Sequence, residues 1–197
     1  MEGLVAFLRA ERIRAVVDAT HPFAARMSRN AAQACRSAGV PLLALVRPEW
    51  TPGAGDRWTI VPDMAGAVAA LGDAPRRVFL TVGRLELAAF EAAPQHAYLV
   101  RTIDPVGAVA LPNLVEIRHR PPFDEAAERA LMEAERIDLL VTKNSGAAAT
   151  RPKLDAARAL GLPVIVVARP ARPEGVEAVA TAEAALDWLE RVHGDAP

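Results

Sequence analysis

Cysteine is nearly absent from this sequence, and no charge of one sign dominates it. The single cysteine, Cys35, excludes an internal disulfide framework, and we expect it on the buried face of a helix. Lysine and arginine total 23 and aspartate and glutamate total 24. The resulting net charge of −1 argues against general nucleic-acid binding, which requires a basic surface.

Long apolar runs and a secretory leader are also missing. No stretch approaches the ~20 apolar residues that a membrane helix needs. The first residues are interrupted by charges such as Glu2 and Arg9, which is not the pattern of a signal peptide. We therefore expect a cytoplasmic protein without membrane contact.

The motifs of several enzyme classes are absent as well. The four histidines are scattered, and no His-x-x-x-His or Cys-x-x-Cys pair occurs, so we predict no metal site. The glycine and lysine spacing of a P-loop is missing, and no Gly-x-Ser-x-Gly turn surrounds Ser145. Metal catalysis and a catalytic serine are therefore not expected.

What the sequence does contain is an alternation of strands and helices. Hydrophobic residues make up 52% of the chain, enough for a sizeable core in one large or two small domains. The alternation predicts an α/β fold whose parallel sheets are covered on both faces. Asp63 should cap a helix that reaches Leu71, and Gly72 to Pro75 has the composition of a domain junction. We predict strands at 15–19, 40–46, 77–82, 98–103, 114–118, 138–142 and 164–168, and helices at 2–12, 24–38, 63–71, 85–92, 124–135, 151–160 and 182–192.

The first candidate site is the segment 16–26, where a buried strand passes into a polar loop and then a helix. Thr20 and His21 follow the strand end, where ligands bind in open α/β sheets. A hydroxyl and an imidazole suit a phosphate or carboxylate, and His21 could also donate a proton near neutral pH. Alternatively, His21 only caps the helix that starts near Pro22, and Asp18 only binds loop amides.

The second candidate site lies where the strand near 138–142 runs into Lys143-Asn144-Ser145-Gly146. This loop offers a cation, an amide, a hydroxyl and a flexible backbone at a helix entrance, which is a cradle for an anionic group. Thr81-Val82-Gly83-Arg84 follows another strand, and Gly83 permits close backbone approach. An ordinary strand-to-helix turn and a solvated Arg84 explain the same residues without a ligand.

These runs together resemble the precorrin-6A reductase family of cobalamin biosynthesis. The resemblance covers essentially the whole chain in the family's order, although Pro121 and Ala147 stand where the family has glycine. The matching pieces are Asp18 to Ala24, Pro41 to Leu43, Arg47-Pro48, Trp50, Phe79 to Arg84, Arg101, Pro122-Phe123, Lys143 to Gly146 and Arg169-Pro170.

The resemblance implies two Rossmann-like domains with parallel sheets and a cleft between them. We place the first domain at 1–72 and the second at 73–197. The family opens with a strand and a Gly-Gly-Thr type loop that cradles cofactor phosphates, and nothing of that kind precedes residue 1. The first domain is therefore expected to be shortened at its amino terminus.

The resemblance also implies a reaction: hydride from NADPH, or from NADH, reduces one double bond of the macrocycle and converts precorrin-6A to precorrin-6B. The partners would be this small corrinoid precursor and, transiently, neighbouring enzymes of the pathway. We assign His21 and Lys143 to catalysis; Thr20, Thr81, Gly83, Arg84, Asn144, Ser145 and Gly146 to the cofactor; and Arg26, Arg29, Arg47, Arg101 and Lys153 to substrate carboxylates. A solvated surface charge is the alternative for each of these five basic residues.

Two other functions stay open at this stage. One is a shortened paralogue that binds ligand without turnover, and the other is a corrinoid-pathway methyltransferase that uses S-adenosylmethionine. Because a ligand that binds only the folded state raises the melting temperature, thermal shifts with reduced nicotinamide and with S-adenosylmethionine distinguish these functions.

Overall fold

The computed structural model describes residues 2–194, which fold into two compact α/β units. The smaller unit combines residues 2–49 with residues 170–194, and the larger unit is the continuous segment Trp50–Arg169. Every strand pairing in both sheets is parallel, which confirms the predicted fold class. Among the described residues, no helix has the length and apolar character to cross a membrane.

The smaller unit is built on a three-stranded sheet in the order β1-β2-β9. Its strands are β1 (Val16–Asp18), β2 (Leu42–Leu45) and β9 (Glu177–Val179), and its helices are α1 (Glu2–Ala10), α2 (Ala25–Ala38) and α6 (Ala182–Gly194). Because successive strand residues point to opposite faces, Leu42 packs with Leu8 and Cys35 of α1 and α2, and Leu43 packs with Trp188 of α6. Cys35 is buried on its helix, as predicted.

The larger unit is built on a six-stranded sheet in the order β3-β8-β7-β4-β5-β6. Its middle strands are continuous apolar runs, as expected for a parallel sheet that is buried on both faces. The strands are β3 (Arg57–Val61), β4 (Arg77–Thr81), β5 (Ala97–Thr102), β6 (Leu114–Arg118), β7 (Leu139–Lys143) and β8 (Pro163–Val167). The α-helices are α3 (Met64–Ala70), α4 (Glu125–Ala134) and α5 (Pro152–Ala159), and 3-10 helices span Arg84–Ala92 and Ala148–Thr150.

The division of the chain differs from the predicted one at residue 72. Residues 50–72 belong to the larger unit because β3 pairs with β8 and α3 packs against β8, whereas β9 and α6 return to the smaller sheet. Gly72 to Pro75 is therefore a turn within the larger unit. The predicted cap is correct, because Asp63 Oδ1 accepts a hydrogen bond of 2.8 Å from Gly66 N.

The centre of the larger sheet contains a topological switch point. The chain leaves β4 toward β5 on one side, and it leaves β7 toward β8 on the other. In open α/β sheets, the crevice outside the carboxyl ends of two such strands is where ligands bind. The loops that follow β4 and β7 therefore define the candidate site of this unit.

Candidate functional site

The loops after β4 and β7 begin side by side, because Thr81 pairs with Thr142 at the ends of these neighbouring strands. We call this region the β4–β7 edge; it comprises residues 81–86 and 143–147. The hydroxyl of Thr81 donates a hydrogen bond of 3.1 Å to Val141 O and so ties the two strands together. The fold thus brings together the two loops in which the sequence placed catalytic and cofactor-binding residues.

The loop after β4 has an open backbone followed by exposed side chains. Gly83 adopts a φ of +94°, and a Cβ placed on it would meet no heavy atom within 4 Å. Arg84 is exposed, and the next residue, Leu85, is 87% exposed. An accessible backbone beside a guanidinium group suits an anion such as phosphate or carboxylate.

An ion pair joins the two loops of the β4–β7 edge. Lys143 Nζ lies 2.8 Å from Glu86 Oε1, and the two side chains are 15% and 35% exposed. Lys143 was predicted from the sequence, but Glu86 was not. The cation of this edge is thus held by a carboxylate from the opposite loop.

Asn144 and Ser145 turn their side chains into the protein. Asn144 accepts a hydrogen bond of 2.8 Å from Trp50 N and donates one of 3.0 Å to Trp50 O. Ser145 Oγ accepts from Ala147 N at 3.4 Å. Both residues are buried, and their side chains shape the loop. The cofactor contact predicted for them stays a prediction. Gly146 follows with a φ of +67°.

A buried ion pair lies at the end of the neighbouring strand β5. Arg101 pairs with Glu128 of α4, and the second contact, from Nη2 to Oε2, measures 2.9 Å. The two side chains are 4% and 5% exposed, and the guanidinium carbon lies 3.8 Å from the centroid of the Phe123 ring. Glu128 therefore neutralises Arg101 within the protein, and the substrate contact predicted for Arg101 stays a prediction.

Lys153 is a second buried cation near this pair. The residue is 5% exposed, and its Nζ lies 5.7 Å from the centroid of the Trp50 ring. Burial and, to a smaller extent, the positive charge of Arg101 lower the pKa of Lys153 to about 7, while Glu128 opposes the shift. A buried group that titrates near neutral pH is a marker of functional sites.

In the smaller unit, Asp18 and Thr20 form a network within the loop after β1. Asp18 Oδ1 accepts hydrogen bonds from Thr20 N at 3.0 Å and from Thr20 Oγ1 at 2.6 Å. Burial acts to raise the pKa of Asp18, but hydrogen bonds from Ser28 and Thr20 outweigh it and hold the pKa below its usual value. Asp18 thus stabilises its own loop, which agrees with the simpler interpretation of this residue.

His21 takes part in the same local stabilisation. Its Nδ1 accepts a hydrogen bond of 3.2 Å from Phe23 N, and its carbonyl accepts one of 2.7 Å from Ala24 N. A protonated Nδ1 could not accept, so this arrangement requires the proton of a neutral imidazole on Nε2. Ala24 is the N-cap of α2 and receives no side-chain cap hydrogen bond, so His21 stabilises the turn before the helix and does not cap it. Arg26 and Arg29 lie exposed on α2, and Arg47 lies exposed after β2.

Comparison with known sequences identifies the same family that the sequence motifs resemble. The sequence profile of the family described as "Precorrin-6x reductase CbiJ/CobK" matches residues 1–190. The chain is 50% identical over 196 residues to a protein of Rhodobacter capsulatus named precorrin-6A reductase, covering 99% of this chain and 77% of that protein. It is 31% identical over 187 residues to a protein of Salmonella typhimurium named cobalt-precorrin-6A reductase, covering 85% and 67% of the two chains.

A solved structure supports the same relationship. The structure titled "CobK precorrin-6A reductase" superimposes with a TM-score of 0.92 at 49% sequence identity, covering 97% of this chain and 76% of that one. The similarity therefore extends from the sequence to the fold of nearly the whole chain. The chain belongs to the precorrin-6x reductase family of CbiJ and CobK and is an oxidoreductase.

Proposed function

We propose that this protein reduces precorrin-6A to precorrin-6B with NADPH in cobalamin biosynthesis. The observation that carries this proposal is the 50% identity, over 99% of the chain, to the Rhodobacter capsulatus protein named precorrin-6A reductase. The basic side chains and open backbone of the β4–β7 edge support it, because both reactants are anions.

The residues after β4 fit the phosphate groups of a nicotinamide cofactor. Gly83 leaves its backbone accessible, and Arg84 places an exposed guanidinium group next to it. NADPH, when bound, supplies the hydride for one carbon of the double bond, and a proton must reach the adjacent carbon. The role of these residues is to hold and orient an anion rather than to form a covalent bond with it.

The macrocycle carries several carboxylates, and the β4–β7 edge offers Lys143 to bind one of them. A charge-assisted hydrogen bond of this kind is short and directional, so it can fix the orientation of the macrocycle. Lys153 adds a group near this edge that gains or loses a proton near neutral pH. These two lysines are the only lysines in the chain.

We also propose that the preferred substrate contains no cobalt. The chain is 45% to 51% identical to relatives named precorrin-6A reductase, against 27% to 31% for those named cobalt-precorrin-6A reductase. A higher kcat/KM for metal-free precorrin-6A than for cobalt-precorrin-6A is the expected result. Equal values or the reverse order would contradict this choice of substrate.

The function is tested by incubating the purified chain with precorrin-6A and NADPH. Loss of NADPH absorbance together with a product heavier by two hydrogen atoms is the expected result. Lys143→Met should raise the KM for one reactant about tenfold, because a charge-assisted hydrogen bond contributes about 1.5 to 3 kcal/mol. The control is Arg129→Met, which removes an exposed positive charge from α4.

Thermal shifts separate the alternative functions. Stabilisation by S-adenosylmethionine with a methylated product would instead identify a methyltransferase. Stabilisation by NADPH without turnover would identify a non-catalytic paralogue. A rise in melting temperature with NADPH together with turnover supports the reductase.

A further inference from the structure

The β4–β7 edge and the neighbouring end of β5 each hold one ion pair between a basic strand residue and an acidic helix residue. In the first, Lys143 pairs with Glu86 of the 3-10 helix after β4. In the second, Arg101 pairs with Glu128 of α4. The two pairs differ in how easily an incoming anion can replace the carboxylate.

The Arg101–Glu128 pair is buried and held by several contacts, so an incoming anion cannot easily separate it. Both side chains are 5% exposed or less, and both terminal nitrogens of the guanidinium group contact the carboxylate. The guanidinium carbon also lies within 5.0 Å of the ring centroids of Phe79 and Phe123. Removing one partner of such a pair leaves an uncompensated buried charge. A ligand therefore gains nothing by displacing Glu128.

The Lys143–Glu86 pair has the opposite character. Lys143 Nζ lies 2.8 Å from Glu86 Oε1, and Glu86 is 35% exposed, so water can solvate its carboxylate when the contact breaks. Ion pairs that are partly exposed to water contribute little to stability. Another anion can thus take the position of Glu86 on Nζ at low cost.

The position of Glu86 favours such an exchange. It lies in the first turn of its 3-10 helix, directly after the exposed residues Arg84 and Leu85, and its backbone N–H donates to Gly83 O at 3.2 Å. The backbone of Glu86 is therefore tied to that of Gly83, and its carboxylate meets the Lys143 ammonium at the edge that an anionic ligand would approach. A fixed negative charge at that place opposes any anion that does not displace it.

We propose that Glu86 is the exchangeable counter-ion of Lys143, which an anionic group of a reactant displaces from Nζ during binding. This inference rests on the proposed function, because the reactants of that reaction are anions. A macrocycle carboxylate and a cofactor phosphate share the required chemistry. Glu86 thus sets the selectivity of the edge: an anion bound by several groups displaces it, whereas a simple anion does not.

The test is a binding titration of Glu86→Gln, which keeps the shape of the side chain and removes its charge. The probes are uroporphyrin I, a tetrapyrrole polycarboxylate, and NADPH, each titrated separately. We expect the Kd of one probe to fall about 1.5-fold to fivefold, the range that corresponds to a partly exposed ion pair. Glu133→Gln is the matched control, since it removes one exposed negative charge from α4, and it should leave both Kd values unchanged.

The double variant Lys143→Met with Glu86→Gln shows whether the effect passes through Lys143. The substitution at Glu86 should then change neither Kd relative to Lys143→Met alone. Melting temperatures of all variants confirm that they are folded.

Each outcome bears on the inference. Tighter binding of uroporphyrin I identifies a carboxylate as the displacing group, and tighter binding of NADPH identifies a phosphate. Weaker or unchanged binding of both probes overturns the inference, as does an effect that persists without Lys143 or the failure of the wild-type protein to bind either probe. Turnover of precorrin-6A by the wild type is measured separately, so failure of the proposed function is distinguished from failure of this inference.

Discussion

The loop after β1 and the loops after β4 and β7 begin alike, with polar residues at the carboxyl ends of parallel strands, but they use those residues differently. After β1, Asp18 and His21 accept hydrogen bonds from their own loop. After β4 and β7, Lys143 and Glu86 meet across two loops, and the backbone of Gly83 stays open. The first loop thus stabilises itself, whereas the second site depends on tertiary contacts.

The larger unit also contains a residue that lowers the stability of the folded protein. The Lys153 side chain is buried, and burying an ammonium group disfavours the folded state. Residues that are retained at the expense of stability are concentrated at functional sites. We therefore expect substitutions in the two regions to differ in the size and even the sign of their effects.

The largest effect is expected for Glu128→Gln, which leaves the buried Arg101 without its counter-charge. The free energy of unfolding should fall by about 3 to 5 kcal/mol, as for other broken buried pairs. Urea denaturation measures this change. Glu133→Gln on the same helix breaks only an exposed pair and should cost less than about 1 kcal/mol. Similar losses in both variants would show that burial does not distinguish these pairs.

Lys153→Met is expected to stabilise the protein by about 1 to 4 kcal/mol, because a hydrophobic side chain replaces a buried charge. Burial lowers the pKa of Lys153 to about 7 in the folded chain, against 10.5 ordinarily. Between these values the unfolded chain binds more protons, so the stability contributed by this group rises with pH. Denaturation from pH 7 to pH 10 should show that rise in the wild type and a smaller one in Lys153→Met. A destabilised variant would contradict this account.

The smallest effect is expected for Asp18→Ala, which removes the acceptor of two hydrogen bonds in the β1 loop. A loss of about 1 kcal/mol is typical of such bonds. Because the pKa of Asp18 is lowered in the folded chain, its contribution is present above the unfolded value and is lost as the pH falls through the folded value. Acid denaturation measures this difference. Thr20→Val removes only one donor and should have a smaller effect; a larger effect would assign Thr20 another role.

Local patterns in the sequence predict most of the helices and strands but not the way they assemble. The cap at Asp63 and the strand that begins at Arg77 depend on neighbouring residues, and both are found where they were predicted. The strand Arg57–Val61 was missed, although its Trp-Thr-Ile-Val run is typical of a strand. Its place beside β8 depends on residues about a hundred positions away, which no local pattern reveals.

The residues of the candidate site likewise fall into those that the sequence predicted and those that it did not. Lys143, Gly83 and Arg84 were predicted because each follows a strand end. Glu86 and Glu128 were missed, because an acidic residue in the first turn of a helix is ordinarily a solvent-exposed residue that favours the helix dipole. Only the packing of separate elements turns these carboxylates into partners of Lys143 and Arg101.

The smaller unit consists of two segments separated by the whole larger unit, and this affects how the chain folds during synthesis. Every strand of the six-stranded sheet precedes β9 in the chain and therefore leaves the ribosome before it. The larger unit can therefore complete its core first. β2 can pair with Glu177–Val179, and Leu43 can pack against Trp188, only after these later residues have been made. Until then the apolar face of β2 is open to chaperones and to other nascent chains, and the arrival of β9 and α6 ends this period of aggregation risk.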